Sequence, residues 1–293
     1  MSDLTIVPAT PAEFAELARL IEAQNRVPET QCLHSGEHAD EVEAVLNRPE
    51  APIFLVARNG GVLAGAFGCE VDSDARGYLQ GPFVVEGDYA TVAGELWQAL
   101  HEATPAVMRY DAFINMRNSR AAAFLVAAGF RRGQGAQIYV LPAASLPALD
   151  APPADLFTER CRPGVRALHE LAFPDSPESI EPFINGENGS RRLFVFSDGK
   201  RCLGYVAASI NDNPREGYID LLAVDASIRN QGYGRRLLLT AAHWLIEEKG
   251  MPQVGLTVLD MRSDARELYG RTGFQLLYSG VGYFRQEKSS RAG

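Results

Sequence analysis

What most constrains this chain is that its two halves repeat one another in order. Phe54 to Ala57 reads as a short apolar strand, Arg58 to Gly61 as a turn, and Val62 to Cys69, carrying Gly65, as a second strand. Leu193 to Phe196, Ser197 to Lys200, and Cys202 to Ser209 with Gly204 form the same hairpin pattern. A strand follows in each half, Tyr78 to Val84 and Tyr218 to Val224, at offsets 218 − 78 = 140 and 224 − 84 = 140. An amphipathic helix comes next, Gly94 to Ala103 in one copy and Gly232 to Lys249 in the other. The second helix lines up Leu238, Ala241, Ala242, Leu245 and Ile246 on one stripe and stops at Gly250. Helices with Ala121 and Phe124, and with Ala265 and Leu268, run into Gly129-Phe130 and Gly273-Phe274, where 273 − 129 = 144. Leu4 to Pro11 and Leu156 to Pro163 open the copies as strands broken by proline before helices near Ala12 and Gly164.

A repeat this long means two like domains, and 293 residues suffice for two. Leu141 to Pro153 holds four prolines and no long apolar periodicity, as a linker does. The expected division is 1–141, a linker at 142–153, and 154–293.

Composition narrows the function classes. A net charge of −9 disfavours nucleic-acid binding, which needs a basic face, and leans toward a cationic substrate. No apolar run approaches the roughly 20 residues of a membrane helix. Met1-Ser2-Asp3-Leu4 lacks the basic start of a signal peptide, so a cytoplasmic protein is expected. Cys32, Cys69, Cys161 and Cys202 are scattered without a C-x-x-C pair, which reads as reduced core thiols. His34 and His38 are spaced like a helical metal pair, but the segment between them reads as a loop with no third ligand, and no metal is expected.

The chemistry concentrates at Arg229-Asn230-Gln231-Gly232-Tyr233-Gly234, between a strand and a helix. A helix N-terminus there presents unpaired N–H groups backed by the helix dipole, which suits a phosphate. Gly232 and Gly234 would let the main chain approach it, and Arg229, Arg235 and Arg236 would add charge. The same residues also fit a tight turn beside a solvated basic face. No G-K-[ST] ending and no G-x-G-x-x-G is present, so nucleotide-hydrolase and dinucleotide loops are set aside.

Arg229-x-x-Gly232-x-Gly234 after Leu222-Ala223-Val224-Asp225, followed by Ala265-x-x-Leu268-Tyr269-x-x-x-Gly273-Phe274, resembles the GCN5-related N-acetyltransferases. The likeness covers the second half in order and the first more weakly. It implies a mixed α/β fold of two tandem domains, each a splayed, mostly antiparallel sheet flanked by helices. It further implies acetyl-CoA as co-substrate, its pantetheine arm paired with the strand at Leu222, Ala223 and Val224. Its pyrophosphate would rest on Arg229, Asn230, Gln231, Gly232, Tyr233, Gly234 and Arg235. An amine would attack the thioester, the N–H near Leu222 would stabilise the developing oxyanion, and Tyr269 would protonate the departing thiolate. Asp220 is the candidate base, provided no bulge interrupts the strand, although a solvated carboxylate or deprotonation through water serves as well. Arg262 stands where the family usually has Asn, and Asn118 holds that place in the first copy.

Carried back by 140, Arg229 falls on Tyr89 and Gly232 on Val92, with only Gly234 matched, at Gly94. Glu86, Asp88 and Glu95 surround that segment, and Tyr269 falls on Leu125 at offset 144. The first copy is therefore expected not to bind acetyl-CoA, and to support the fold or wall the substrate cleft. The reading is an N-acetyltransferase acting on a small-molecule or peptide amine, as a monomer or homodimer. A non-catalytic acyl-CoA sensor is the alternative.

Overall fold

A computed structural model of the chain describes residues 4–174, 179–186, 189–199, 201–210, 216–259 and 263–287. They form two compact units, residues 1–136 with 279–293, and residues 137–278. The expected linear division places the boundary at 142–153; the observed one gives the end of the chain to the first unit.

In the first unit, β1 (Leu4–Pro8), β2 (Ile53–Asn59), β3 (Val62–Val71) and β4 (Arg76–Val84) pair antiparallel in turn. The β2–β3 turn places Gly60 and Gly61 at φ +55° and +88°, the left-handed pair that a two-residue hairpin requires. β4 runs parallel to β5 (Arg109–Asn115), and β5 pairs antiparallel with residues 280–286 of β12 (Gln275–Gln286). Helices α1 (Phe14–Asn25), α2 (Ala39–Leu46), α3 (Tyr89–Ala103) and α4 (Ser119–Ala127) flank the sheet. β6 (Arg131–Pro142) leaves this unit for the next. Val281 and Tyr283 lie in the same apolar core as Phe67, Leu96 and Leu125, so the last strand supplies core as well as hydrogen bonds.

The second unit repeats the pattern: β7 (Asp155–Leu156), α5 (Arg162–Ala172), α6 (Glu181–Ile184), β8 (Arg191–Ser197), β9 (Cys202–Ile210), β10 (Gly217–Val224), α7 (Tyr233–His243), β11 (Gln253–Leu259) and α8 (Ser263–Thr272). β7 through β10 are antiparallel neighbours, and β10 pairs parallel with β11. α7 buries Leu237, Leu238, Ala241 and Ala242 against β9 and β10, and a π-helical turn at Trp244–Glu248 carries it to Gly250 at φ +71°. Equivalent glycines admit the helices. A Cβ on Gly65 would lie 3.3 Å from Val92 of α3, and one on Gly204 would lie 3.1 Å from Leu237 of α7.

Residues 143–154 lie along α7. The Asp150 carboxylate accepts from Arg235, the Pro152 carbonyl from Arg236 (2.7 Å), and Thr240 Oγ1 accepts from the Ala154 N–H (3.0 Å). The Pro147 carbonyl meets His243 at 2.9 Å. Partners 236, 240 and 243 share one helix face, so this linker is a packed strap.

Among the described residues, no helix is long and apolar enough to cross a membrane.

Candidate active site

β10 and β11 pair only at Gly217–Val254, Tyr218–Gly255 and Ile219–Leu256, yet they continue to Val224 and Leu259. From Leu222 to Val224 the edge facing β11 is thus released from the parallel ladder. Asp220 is the extra residue of a β-bulge, skipped between the pairs Ile219–Ala208 and Leu221–Ala207. The bulge changes which face each residue serves: Ile219 packs into the α7 core, whereas Leu221 and Ala223 join the α5–α6 core. Simple alternation therefore does not place Asp220 on a face with Tyr218 and Leu222, as its role as base had assumed. Its side chain is half-buried.

After Val224, the Asp225 carboxylate accepts from the Ser227 N–H (2.8 Å) and hydroxyl (2.6 Å) and holds a turn at Ala226–Ile228. These bonds keep the Asp225 carboxyl below its usual range. Asn230 adopts φ +62°, a left-handed conformation that Asn tolerates, and Gly232 adopts φ +84° as the N-cap of α7. The helical ladder starts with Arg236 N–H to the Gly232 carbonyl (3.1 Å), which leaves the amides of Tyr233, Gly234 and Arg235 ahead of it. Among the described residues no side chain caps this end, and beyond its chain neighbours and its own helix backbone no atom of them lies within 4 Å of a Cβ built on Gly232. The residues present fit a pyrophosphate: an open helix N-terminus beside the exposed guanidinium of Arg229.

The two glycines do different work. Gly232 supplies the left-handed backbone, whereas a Cβ on Gly234 would lie 3.1 Å from Leu268 Cδ2 and 3.7 Å from Val224 Cγ2. Gly234 is thus a packing position that lets α8 close on α7 and β10. The arginines divide as well. Arg229 stays at the loop, while Arg235 turns to Asp150 and Arg236 lies over Phe196 (4.4 Å) with its hydrogen bonds on Pro152. The Gln231 amide turns back toward the Ser227 carbonyl at 3.4 Å.

Tyr269 is 8% exposed, its ring against Tyr139 (5.5 Å) and Phe274 (6.1 Å), and Leu222 borders the same apolar cluster. Arg262 lies outside the described residues.

The first unit has the same splay in altered form. Its parallel pairing ends at Leu79–Ala112, while β4 continues to Val84 and β5 to Asn115. Residues 31–33 occupy the vacated edge of β5. Leu33 N–H donates to the Phe113 carbonyl (2.7 Å), Asn115 N–H donates to the Gln31 carbonyl (3.2 Å), and Cys32 bridges to Ile114. Asn118, at the family's Asn position, donates to the Gln31 carbonyl at 3.2 Å and caps α4 through Ala121 N–H. Burial pushes the Cys32 thiol up to about 12. No comparable segment pairs with β11 past Leu256 among the described residues.

Two further changes go unread when the offset is held at 140. The stretch between β10 and α7 is residues 225–232, but between β4 and α3 it is only 85–88, so four residues are missing and the offset becomes 144. Tyr89 then matches Tyr233 and Asp88 matches Gly232, which leaves Arg229 without a counterpart. α3 starts at Tyr89, earlier than expected, because the Asp88 carboxylate caps it through Thr91 N–H (2.9 Å). A carboxylate thus sits where the other copy is open to an anion. Before the deletion, at offset 140, Leu222 matches Pro82, which has no N–H to offer an oxyanion. Asp88-x-x-Thr91 and Pro82 were both readable signals; the pairing of residues 31–33 was not.

The acetyltransferase (GNAT) family matches residues 158–274. A mycothiol acetyltransferase of Rhodococcus opacus (strain B4) is 31% identical over 96 residues, 31% of this chain and 31% of that protein. One from Rhodococcus jostii (strain RHA1) is 30% identical over 102 residues, 33% of each. The chain thus spans about a third of the length of these curated relatives. Among solved structures, a GCN5-related N-acetyltransferase from Sphaerobacter thermophilus shares the fold at TM-score 0.70 and 17% identity, over 97% of this chain and 95% of that one. A tandem GNAT protein from the clavulanic acid biosynthesis pathway aligns at TM-score 0.59 and 18% identity, over 98% and 100%.

Proposed function

We propose that the second unit transfers the acetyl group of acetyl-CoA to a primary amine of a small molecule or peptide, a reading supported by the match of residues 158–274 to the acetyltransferase (GNAT) family. The first unit, on this reading, binds no acetyl-CoA. The observation that carries the proposal is the open N-terminus of α7 beside the released edge of β10 at Leu222–Val224.

Acetyl-CoA supplies the thioester, whose carbonyl carbon is the electrophile. The amides at the start of α7 and Arg229 hold its pyrophosphate, and the β10 edge aligns its pantetheine amides. The Leu222 N–H donates to the carbonyl oxygen as negative charge develops there. As the amine nitrogen bonds to carbon and the C–S bond breaks, Tyr269 gives its phenolic proton to the sulfur. The amine's surplus proton leaves through water, since the bulge at Asp220 removes the strand alternation on which its role as a direct base depended. The phenol recovers a proton from solvent as the products depart.

Tyr269→Phe tests this reading. Turnover is expected to fall by about 10²-fold or more, as for loss of a general acid, with acetyl-CoA affinity kept. The acceptor panel starts with small thiol compounds bearing a primary amine, because the two Rhodococcus relatives are named for mycothiol. Tight acetyl-CoA binding without transfer to any amine would sink the enzyme reading and favour an acyl-CoA sensor.

A further inference from the structure

Where β10 and β11 begin to part, the two faces of the sheet differ in chemistry. On one face, Val254, Leu256 and Val258 are buried in the α7 core with Ile219. The opposite face carries a polar row. Tyr218 pairs with Gly255, so their face holds Glu216 and Tyr218 on β10 and its approach, and Gln253, Gly255 and Thr257 on β11. The Tyr218 phenol donates to Thr257 Oγ1 at 2.6 Å. That bond crosses diagonally, since Thr257 is the first residue of β11 past the last ladder pair, Ile219–Leu256. Glu216 lies over Gly255, where a Cβ would sit 2.5 Å from its Cδ, and Gln253 Nε2 donates to Glu216 Oε1 at 3.3 Å. Thr257 is exposed, and Glu216, Tyr218 and Gln253 are half-buried.

This row lies on the face away from α7, whose N-terminus receives the pyrophosphate. A co-substrate entering from the α7 side leaves the other face as the approach for the second reactant. We infer that Glu216, Tyr218, Gln253 and Thr257 line the acceptor side of the site and select a hydroxylated primary amine over an apolar one. The inference rests on the acyl-transfer reading. The side chains supply a carboxylate for an ammonium, an amide, and two hydroxyls with lone pairs for substrate O–H groups. An apolar arylalkylamine would leave those groups desolvated and unmatched, which a binding site penalises more than it rewards shape.

The test compares acetyl transfer from acetyl-CoA to glucosamine and to phenethylamine by the parent, Tyr218→Phe and Thr257→Val. The parent is expected to favour glucosamine in kcat/KM by at least about tenfold. Each variant is expected to raise KM for glucosamine by about 3- to 10-fold, the value of one lost hydrogen bond, more than it lowers kcat. Retained acetyl-CoA binding by calorimetry shows that the variants fold. A parent that favours phenethylamine, or variants that keep the glucosamine-to-phenethylamine ratio, would overturn the inference while transfer to amines stands. Failure of every amine in the panel overturns the acyl-transfer reading along with it.

Discussion

The Asn115 side-chain amide donates to Gln31 Oε1 at 2.8 Å, and the Asn115 backbone N–H donates to the Gln31 carbonyl at 3.2 Å. These two hydrogen bonds fasten residue 31 of the first unit to strand β5, at the position where, among the described residues, no segment pairs with β11 of the second. Titration calorimetry with acetyl-CoA is therefore expected to give one bound molecule per chain. Asn115→Ala is expected to lower stability by about 1–3 kcal/mol, since it strands a buried acceptor, without adding a second binding event. Two equivalents bound by the parent would refute the closed first copy.

Gly232→Ala and Gly234→Ala separate two roles within one loop. The first meets open space and suffers only its left-handed backbone, about 1–2 kcal/mol, so weakened acetyl-CoA binding is expected to be its main effect. The second drives a methyl toward Leu268, next to Tyr269, and is expected to lower kcat and thermal stability together, with overpacking of about 1–3 kcal/mol. Identical profiles in binding and unfolding assays would contradict the division.

Arg229→Glu is expected to weaken acetyl-CoA binding by about 10- to 100-fold at low salt, with the difference shrinking as ionic strength rises. Arg235→Ala removes an ion pair to Asp150 that is partly exposed, worth at most about 1 kcal/mol. Its expected signature is a small fall in melting temperature with little change in affinity. Equal losses of affinity from the two variants would count against the observed orientation of Arg235.

Acid should loosen the first unit through His34, which sits against Tyr78 (5.5 Å) and Phe113 (6.0 Å) beside residues 31–33. Burial holds its pKa below the ordinary value. The unfolded chain then takes up a proton below about pH 6.5 while the folded one resists, so stability falls as pH drops through that value and levels off below the folded pKa. Thermal unfolding between pH 7.5 and 5 should show a steeper decline for the parent than for His34→Gln. Parallel curves would exclude His34 as the cause.

The repeat was legible because each copy carries its own local signals: paired apolar strands, the turn ending at Gly60-Gly61, and the stripe from Leu238 to Ile246. The start of α7 was legible because Gly232 and the strand before it declare a helix N-terminus. What escaped depends on distant partners. Nothing local to Gln31-Cys32-Leu33 says that it will pair with Phe113–Asn115, and nothing in Arg235-Arg236 says that Asp150 and Pro152 will draw them away. The Asp220 bulge is a register event between two strands, and period-two alternation within one strand carries no record of it. The four missing residues before α3 were hidden by a fixed offset, although Asp88-x-x-Thr91 marks where the helix begins.

Residues 280–286 complete the first unit by pairing with β5, and Val281 and Tyr283 enter its core. During synthesis on the ribosome, the N-terminal copy emerges first but waits for its last strand until the whole second copy has been translated. A protein cut after residue 136 would leave β5 with an open edge and a notch in its core, prone to associate with other chains. The two copies are thus threaded into one order of maturation, in which the second unit is continuous along the chain while the first needs its two separated segments.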